Sequence, residues 1–167
     1  MLFNIRNTTP NDIGFYQYCF ENSEFHWNLF GYNYRDIKKS VSYEKRYLKY
    51  IISILGNKQQ KDIAFTHFCY EDISQEYWFS GGISPQFFNS GMGIYVGVIV
   101  LKYFFKLFSS AIVKAGTYKH NKRSTKMLLA LGFQIIEIRD NEIIMQITLQ
   151  LFNNEFVNRV LKRIEIF

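Results

Sequence analysis

One continuous stretch of the chain, residues 76–108, restricts the possible folds more than any other. It begins with an apolar segment that ends in two glycines (EYWFSGGI, 76–83). It then passes through a glycine-rich loop (NSGMG, 89–93) into a helical segment, 92–108, that is apolar on nearly all sides. Such a helix belongs in a core. With 167 residues and 48% hydrophobic content, the chain has room for one domain built around that helix.

The remaining segments alternate between strand and helix patterns. Strands are predicted at 2–7, 50–55, 63–70, 76–83, 111–118, 134–138 and 142–149. Helices are predicted from Thr9-Pro10 onward and at 36–48, 92–108, 122–131 and, in the tail, 153–164, whereas 22–34 is predicted to be irregular. This order indicates an α/β (α+β) fold with one central sheet. A single domain is expected over 1–167, with 151–167 as a C-terminal helical extension.

Composition excludes several classes of protein. Cys19 and Cys69 lie far apart and form no metal-ligand pair, so we expect two buried free thiols and no metal site. The longest apolar stretch, 94–108, contains Lys102 and Lys106 and is too short to span a membrane. The N-terminus lacks the apolar core of a signal peptide, and a cytoplasmic protein is therefore expected. The net charge of +6 suits nucleic acid or a small anionic ligand equally well.

The glycine-rich loop has the composition of an anion site. Gly91 and Gly93 keep side chains away from the backbone N–H groups of residues 89–94, at the start of a long helix. A strand-to-helix turn that merely needs glycines would look the same. A second motif decides between these readings: Asn121-Lys-Arg-Ser124, followed by Leu131-Gly-Phe133. The densest basic cluster of the chain surrounds it, formed by Lys119, Lys122, Arg123 and Lys126.

With this element order, the two motifs resemble the GCN5-related N-acetyltransferase (GNAT) family over residues 2–150. The resemblance implies a mixed, mostly antiparallel sheet with helices on both faces, and acetyl-CoA as the cofactor. It implies that the fourth strand splays from its neighbour to expose backbone to the pantetheine arm. The cofactor contacts it implies are Gly82, Ile83, Ser84, Asn89, Ser90, Gly91, Met92, Gly93, Ile94, Asn121, Ser124 and Lys126. The sequence departs from the family at Phe88, where Arg or Gln is usual.

The resemblance also implies direct transfer of the acetyl group to an amine, with a backbone donor near Ile83 polarising the carbonyl. Many members carry a Tyr as general acid where this sequence has Leu128. Tyr118, Ser84, another residue or solvent could replace it. His67 and Glu71 are the preferred candidates for the general base, ahead of His26 and His120.

The acceptor remains open at this stage. The loop motif is similar to that of family members that acetylate nucleotide-linked amino sugars for bacterial surface polysaccharides. The aromatic run 25–34 could stack on such a sugar or close the core. The favoured reading is a small-molecule N-acetyltransferase without a nucleic-acid partner, as a monomer or homodimer. The alternatives are a protein or peptide N-acetyltransferase, a degenerate CoA-binding domain, or a basic nucleic-acid-binding module.

Overall fold

The structure is a computed structural model that describes residues 1–30, 41–42, 44–56 and 59–166. Within these residues eight strands form one sheet: β1 (Leu2–Asn7), β2 (Tyr47–Gly56), β3 (Gln59–Glu71), β4 (Glu76–Ile83), β5 (Val113–Tyr118), β6 (Gln134–Ile138), β7 (Glu142–Ile147) and β8 (Glu165–Ile166). Their order across the sheet is β6-β7-β5-β4-β3-β2-β1-β8. Only the pairs β4–β5 and β1–β8 are parallel, which confirms a mixed and mostly antiparallel sheet.

Helices cover both faces of this sheet, as predicted. On one face lie α1 (Ile13–Glu21) and α2 (Ser23–Phe30). Their buried residues Tyr16, Phe20 and Phe25 pack with Ile51 and Phe65 of the sheet. The other face carries α3 (Met92–Leu107), α4 (Lys122–Leu131), α5 (Leu149–Phe152) and α6 (Glu155–Leu161). We call these the α1/α2 face and the α3 face.

The apolar helix α3 forms the centre of the larger core, as its composition predicts. Val98, Ile99, Leu101 and Phe104 are fully buried. Phe104 stacks on Phe68 of β3, with ring centroids 4.2 Å apart. The strict alternation of side chains along each strand therefore assigns Ala64 and Phe68 to the α3 face, while Phe65 belongs to the α1/α2 face.

Two local predictions before β3 are wrong. Residues 23–30 are helical, because Asn22 Oδ1 accepts a hydrogen bond from the Phe25 N–H (2.9 Å) and starts α2. Residues 47 and 48, predicted as the end of a helix, belong to β2, because Tyr47 and Leu48 pair with Cys69 and Phe68 of β3. Residues 36–40 and 43 of that predicted helix lie outside the described residues.

The elements nearest the glycine loop match their predictions closely. β4 and α4 have the predicted bounds, and Gly132 closes α4 with a φ of 103°. At the C-terminal end, Leu149 begins α5 instead of ending a strand, and α6 occupies the middle of the predicted tail helix. The short strand β8 was not predicted. Among the described residues, no helix is both long and apolar enough to cross a membrane.

Candidate functional site

The site begins where β4 and β5 separate. These parallel strands pair only from Tyr77–Val113 to Phe79–Ala115, although β4 continues to Ile83 and β5 to Tyr118. Because the Tyr77 N–H bonds Ile112 O on the β5 side (3.0 Å), alternation turns the N–H groups of Gly81 and Ile83 to that side as well. Past Phe79, no strand among the described residues pairs with this edge. Two backbone donors therefore face an opening in the sheet.

The glycine-rich loop follows directly from the open edge of β4. Asn89 and Gly91 have positive φ angles of 60° and 79°. Ser90 Oγ donates to Phe87 O (2.6 Å) and accepts from the Met92 N–H (3.2 Å), which holds the turn together from inside. The N–H groups of Asn89, Gly91 and Gly93 have no hydrogen-bond partner within the described parts of the chain.

These free N–H groups stand at the N-terminus of α3, where the helix dipole adds partial positive charge. Gly91 has open space around it, whereas a Cβ at Gly93 would lie 3.2 Å from Met127 Sδ and 3.3 Å from Ile83 Cδ1. The loop thus presents bare backbone donors to one side and packs closely on the other. This is the geometry of an anion cradle.

The second motif forms the N-terminus of α4 beside the loop. Asn121 caps the helix, since its Oδ1 accepts from the Ser124 N–H (3.1 Å). Its Nδ2 donates to Asn28 O on α2 (3.0 Å). The resemblance implied that this side chain bonds the cofactor, but here both of its polar groups hold α2 and α4 in place.

Arg123 joins three elements around the same loop. Its guanidinium donates to Asn89 Oδ1 (2.9 Å), forms an ion pair with Glu24 of α2 and lies 5.2 Å from the centre of the Phe88 ring. Phe88 in turn stacks on Phe25, with centroids 6.3 Å apart. Phe88 therefore supports α2 through its side chain. The family resemblance leads us to expect Arg or Gln at this position.

A cavity of about 1190 Å³ connects the open edge, the loop and the start of α4. Nine of the twelve residues predicted to contact a cofactor line it: Gly82, Ile83, Asn89, Gly91, Gly93, Ile94, Asn121, Ser124 and Lys126. The other three, Ser84, Ser90 and Met92, are not part of the lining. Ser90 supports the turn as described, and Ser84 is fully buried, with its N–H bonded to Ile63 O (2.8 Å).

Aromatic and charged side chains line the end of the cavity away from the loop. Tyr47, Tyr70 and Trp78 contribute rings, and Arg46, Glu71 and Asp72 contribute charges. Arg139 and Glu142 also line the cavity, but they belong to the β6–β7 turn beside Tyr118. Glu71 Oε2 accepts hydrogen bonds from Ser74 Oγ (2.7 Å) and Trp78 Nε1 (3.3 Å). These bonds lower the pKa of the Glu71 carboxyl below its ordinary value, so it is ionised at neutral pH.

His67, the other predicted base, is not part of the cavity lining. It is buried on the α1/α2 face, where its Nε2 lies 2.8 Å from the Tyr16 hydroxyl and its ring stacks on that of Tyr16. The two base candidates thus have opposite surroundings. Glu71 is open to the cavity, and His67 is enclosed by aromatic rings.

Tyr118 is a candidate general acid, and Leu128 occupies the position where the resemblance leads us to expect one. Both residues line the cavity. Tyr118 stacks on His120 (5.4 Å between centroids), and His120 stacks on Trp27 of α2 (4.6 Å). Ser84 Oγ accepts from Gln86 Nε2 (3.1 Å) away from the cavity. Cys69, expected to be buried, is half-buried and lines the cavity because β3 turns it towards Tyr47, whereas Cys19 is buried, and burial raises its thiol pKa to about 12.

Two buried hydroxyls were not singled out by sequence reasoning. Thr66 and Thr117 are 1% and 5% exposed and line the cavity, and neither Oγ1 has a hydrogen-bond partner among the described residues. In the sequence both are ordinary strand threonines, and only the placement of β3 and β5 brings them to the opening. No cluster of three or more His, Cys, Asp or Glu in the described parts of the chain could hold a metal ion.

The fold is shared with solved acetyltransferases. The aminoglycoside acetyltransferase AAC(6')-Ib, solved with paromomycin and acetyl-CoA, superposes with a TM-score of 0.73 at 15% identity over 93% of this chain and 98% of that one. The spermidine N-acetyltransferase of Vibrio cholerae, solved with CoA and spermine, gives 0.75 at 14% identity over 91% and 98%. A domain from Methanocaldococcus jannaschii gives 0.74 at 18% identity over 87% and 97%.

By sequence, no family model matches the chain, and no curated protein does. Identities of this size establish the fold alone. The GNAT-like fold expected from the sequence is confirmed at that level.

Proposed function

We propose that this chain is an N-acetyltransferase that transfers the acetyl group of acetyl-CoA directly to the amine of a small molecule. The observation that carries the proposal is the open edge of β4, which turns the Gly81 and Ile83 N–H groups towards a cavity and leads into the loop of free N–H groups. The acetyltransferases of the same fold were solved with CoA or acetyl-CoA, which supports the choice of cofactor.

The residues present fit this cofactor. Its pyrophosphate would be held by the N–H groups of Asn89, Gly91 and Gly93 at the start of α3, with Lys126 and Ser124 lining the cavity nearby. Its arm would pair with β4 as an added strand does, through the N–H groups of Gly81 and Ile83. Acetyl-CoA supplies an activated thioester, so the protein has to position the amine, polarise the carbonyl and accept a proton.

Glu71 is the residue that we propose as general base. Its carboxylate is ionised, open to the cavity and oriented by Ser74 and Trp78. Glu71 pairs with Glu76, five residues along β4 from Gly81, so it would take the amine proton through a chain of waters in the cavity. His67 is separated from the cavity by its packing against Tyr16 and Phe65.

For the acceptor we propose a nucleotide-linked amino sugar. The Trp78 and Tyr47 rings offer flat apolar surfaces for a sugar or base, and Arg46, which precedes Tyr47, lines the same end of the cavity and suits a phosphate. A polyamine or aminoglycoside, as used by the structural neighbours, is the second candidate, favoured by Glu71, Asp72 and Glu142. Turnover of acetyl-CoA with a UDP-amino sugar, spermidine, kanamycin and a peptide amine separates these acceptors.

The cofactor assignment is tested by a charge placed at Gly91. Gly91→Asp puts a carboxylate beside the N–H groups assigned to the pyrophosphate, and we expect CoA affinity to fall at least a hundredfold because two anions then compete for one site. Gly91→Asn is the matched control, since Asn and Asp tolerate a positive φ alike. Calorimetric titration with CoA measures both variants, and equal affinities for Asp and Asn would refute the loop assignment.

A further inference from the structure

Gly116 is the first residue of β5 beyond the point where β4 and β5 separate. The last pair of these two strands is Phe79–Ala115, and β5 continues to Tyr118. Because Val113 and Ala115 belong to the core of the α3 face, alternation along the strand turns Gly116 to the α1/α2 face. There it is exposed, and it lines the cavity.

The cavity reaches both faces of the sheet at this separation. On the α3 face its lining includes Gly97 of α3 and Leu128 of α4. On the α1/α2 face its lining includes Trp78 of β4 and Ile144 of β7, and Ile144 is the residue that pairs with Gly116. Gly116 therefore lies at the edge of a passage between the two faces.

Nothing in the fold requires a glycine at position 116. Its φ angle lies outside the left-handed region, and an added Cβ would meet one atom within 4 Å, Ile144 Cδ1 at 3.5 Å, which is an ordinary contact. At Gly81 and Gly97, by contrast, an added Cβ would lie 2.6 Å from its nearest neighbour. A glycine inside a strand weakens the strand, and it often marks a site where a ligand approaches closely.

The position of the passage identifies the approaching group. If acetyl-CoA extends along β4 from the glycine loop, as proposed above, its acetyl group stops where the strands close, at Phe79 and Ala115. The acceptor then reaches the acetyl carbon from the α1/α2 face, past Gly116. Its nitrogen faces the acetyl carbon, so the carbon atom that carries the nitrogen lies over Gly116. The missing Cβ leaves a methyl-sized space beside that carbon.

We propose that Gly116 selects acceptors whose amine is bonded to a branched carbon, such as a ring carbon. This inference rests on the proposed function and narrows its class of acceptor. A ring carbon bears two carbon substituents, and one of them fills the space that a Cβ at position 116 would occupy. An unbranched amine, in which the nitrogen is bonded to a CH2 group, does not need this space. Gly116 thus determines specificity and takes no part in proton transfer.

The test measures kcat/KM for matched amines in the wild-type protein, Gly116→Ala and Gly116→Val. Cyclohexylamine and hexylamine have the same number of carbon atoms and differ in branching at the amine carbon. A UDP-amino sugar with its amine on a ring carbon and spermidine form a larger pair. For the ring-carbon amines we expect losses of about tenfold in Gly116→Ala and about a hundredfold in Gly116→Val, because the reacting atoms are pushed apart. The unbranched amines should change less than about twofold.

The matched control is Gly14→Ala on α1, where an added Cβ meets nothing within 4 Å and which is not part of the cavity lining. It should leave kcat/KM unchanged for every amine. Two further readouts separate specificity from folding and from cofactor binding. Gly116→Ala should melt at the wild-type temperature or above, because alanine suits a strand better than glycine. Its CoA affinity should equal that of the wild type, because the added Cβ lies on the α1/α2 face.

Each outcome has a distinct meaning. A wild-type protein that acetylates none of these amines refutes the proposed function itself. Three results refute only the role of Gly116: a wild-type protein that acetylates unbranched amines alone, wild-type kcat/KM for ring-carbon amines in both variants, and equal losses for the two classes of amine. A melting temperature several degrees lower in Gly116→Ala, or a CoA affinity that falls with its activity, would also overturn the proposal.

Discussion

The two faces of the sheet at the open edge of β4 differ in the groups that they present to a ligand. On the α3 face, the candidate cofactor site consists of backbone N–H groups, glycines and apolar walls, with Gly91, Gly93 and Gly97 allowing close approach. On the α1/α2 face, the cavity is bounded by rings and charges, among them Trp78, Glu71 and Arg46. A backbone-made site needs only the fold and a few glycines, whereas a side-chain-made site can change with each substitution.

At 14–18% identity, the structural neighbours share the fold with this chain. In this chain, one side of the opening is made of backbone and the other of side chains. We therefore expect substitutions on the two faces to have separable effects, on CoA binding in one case and on the acceptor and stability in the other.

The largest effect is expected from Phe25→Ala on the α1/α2 face. The Phe25 ring is 3% exposed and rests on Gly82, where an added Cβ would lie 2.3 Å from Phe25 Cζ, and it also contacts the Phe65 and Phe88 rings. Its removal leaves a cavity under α2 and should cost about 3–5 kcal/mol of unfolding free energy. Urea denaturation measures it. Trp27→Ala, at a ring 39% exposed on the same helix, should cost clearly less, and equal losses would show that Phe25 does not anchor α2.

The next effect concerns the acceptor end alone. Glu71→Gln removes the proposed base, so kcat should fall about a hundredfold while CoA affinity stays unchanged. Asp72→Asn, at the neighbouring carboxylate of the same cavity wall, is the matched control and should lower kcat much less. Wild-type kcat in Asp72→Asn together with an unchanged kcat in Glu71→Gln would remove Glu71 from the mechanism.

The pH dependence follows from the same carboxyl. The folded pKa of Glu71 is lowered by the Ser74 and Trp78 hydrogen bonds, so the base is lost only as pH falls through that lowered value. Across the neutral range Glu71 stays charged. The rate should then rise with pH towards the pKa of the acceptor amine. A profile that instead bends near pH 6.5 would point to a histidine.

The contrast between the two faces also explains what the sequence could predict. The β4 bounds, the α4 bounds and the glycine that closes α4 at Gly132 rest on local rules of glycine conformation and strand pattern, and they were predicted correctly. The cap that Asn121 forms on α4 was not predicted. The helix α2 was missed because its aromatic residues have no helical period, and it is Phe25 packing on Gly82 that holds it to the sheet.

Thr66 and Thr117 are a second case in which the sequence could not predict the surroundings of a side chain. Nothing local distinguishes Thr66 or Thr117 from other strand residues, and only the packing of the folded chain encloses their hydroxyls without a partner among the described residues. Likewise, a histidine between apolar strand residues has the same sequence pattern whether its side chain faces a cleft or a core. Only the position of Tyr16 on α1 shows that His67 faces the aromatic cluster.

The smallest effect is expected at that histidine's partner. Tyr16→Phe keeps the ring that packs on Phe65 (4.4 Å between centroids) and removes the hydroxyl 2.8 Å from His67 Nε2. We expect a loss of about 1 kcal/mol of unfolding free energy, because the buried hydrogen bond to His67 and a longer one to Thr8 Oγ1 (3.4 Å) disappear. Since His67 does not line the cavity, kcat and its pH profile should remain those of the wild type. If the profile shifts while stability changes little, the hydroxyl tunes a titrating His67, and the base would belong to the aromatic face instead of to Glu71.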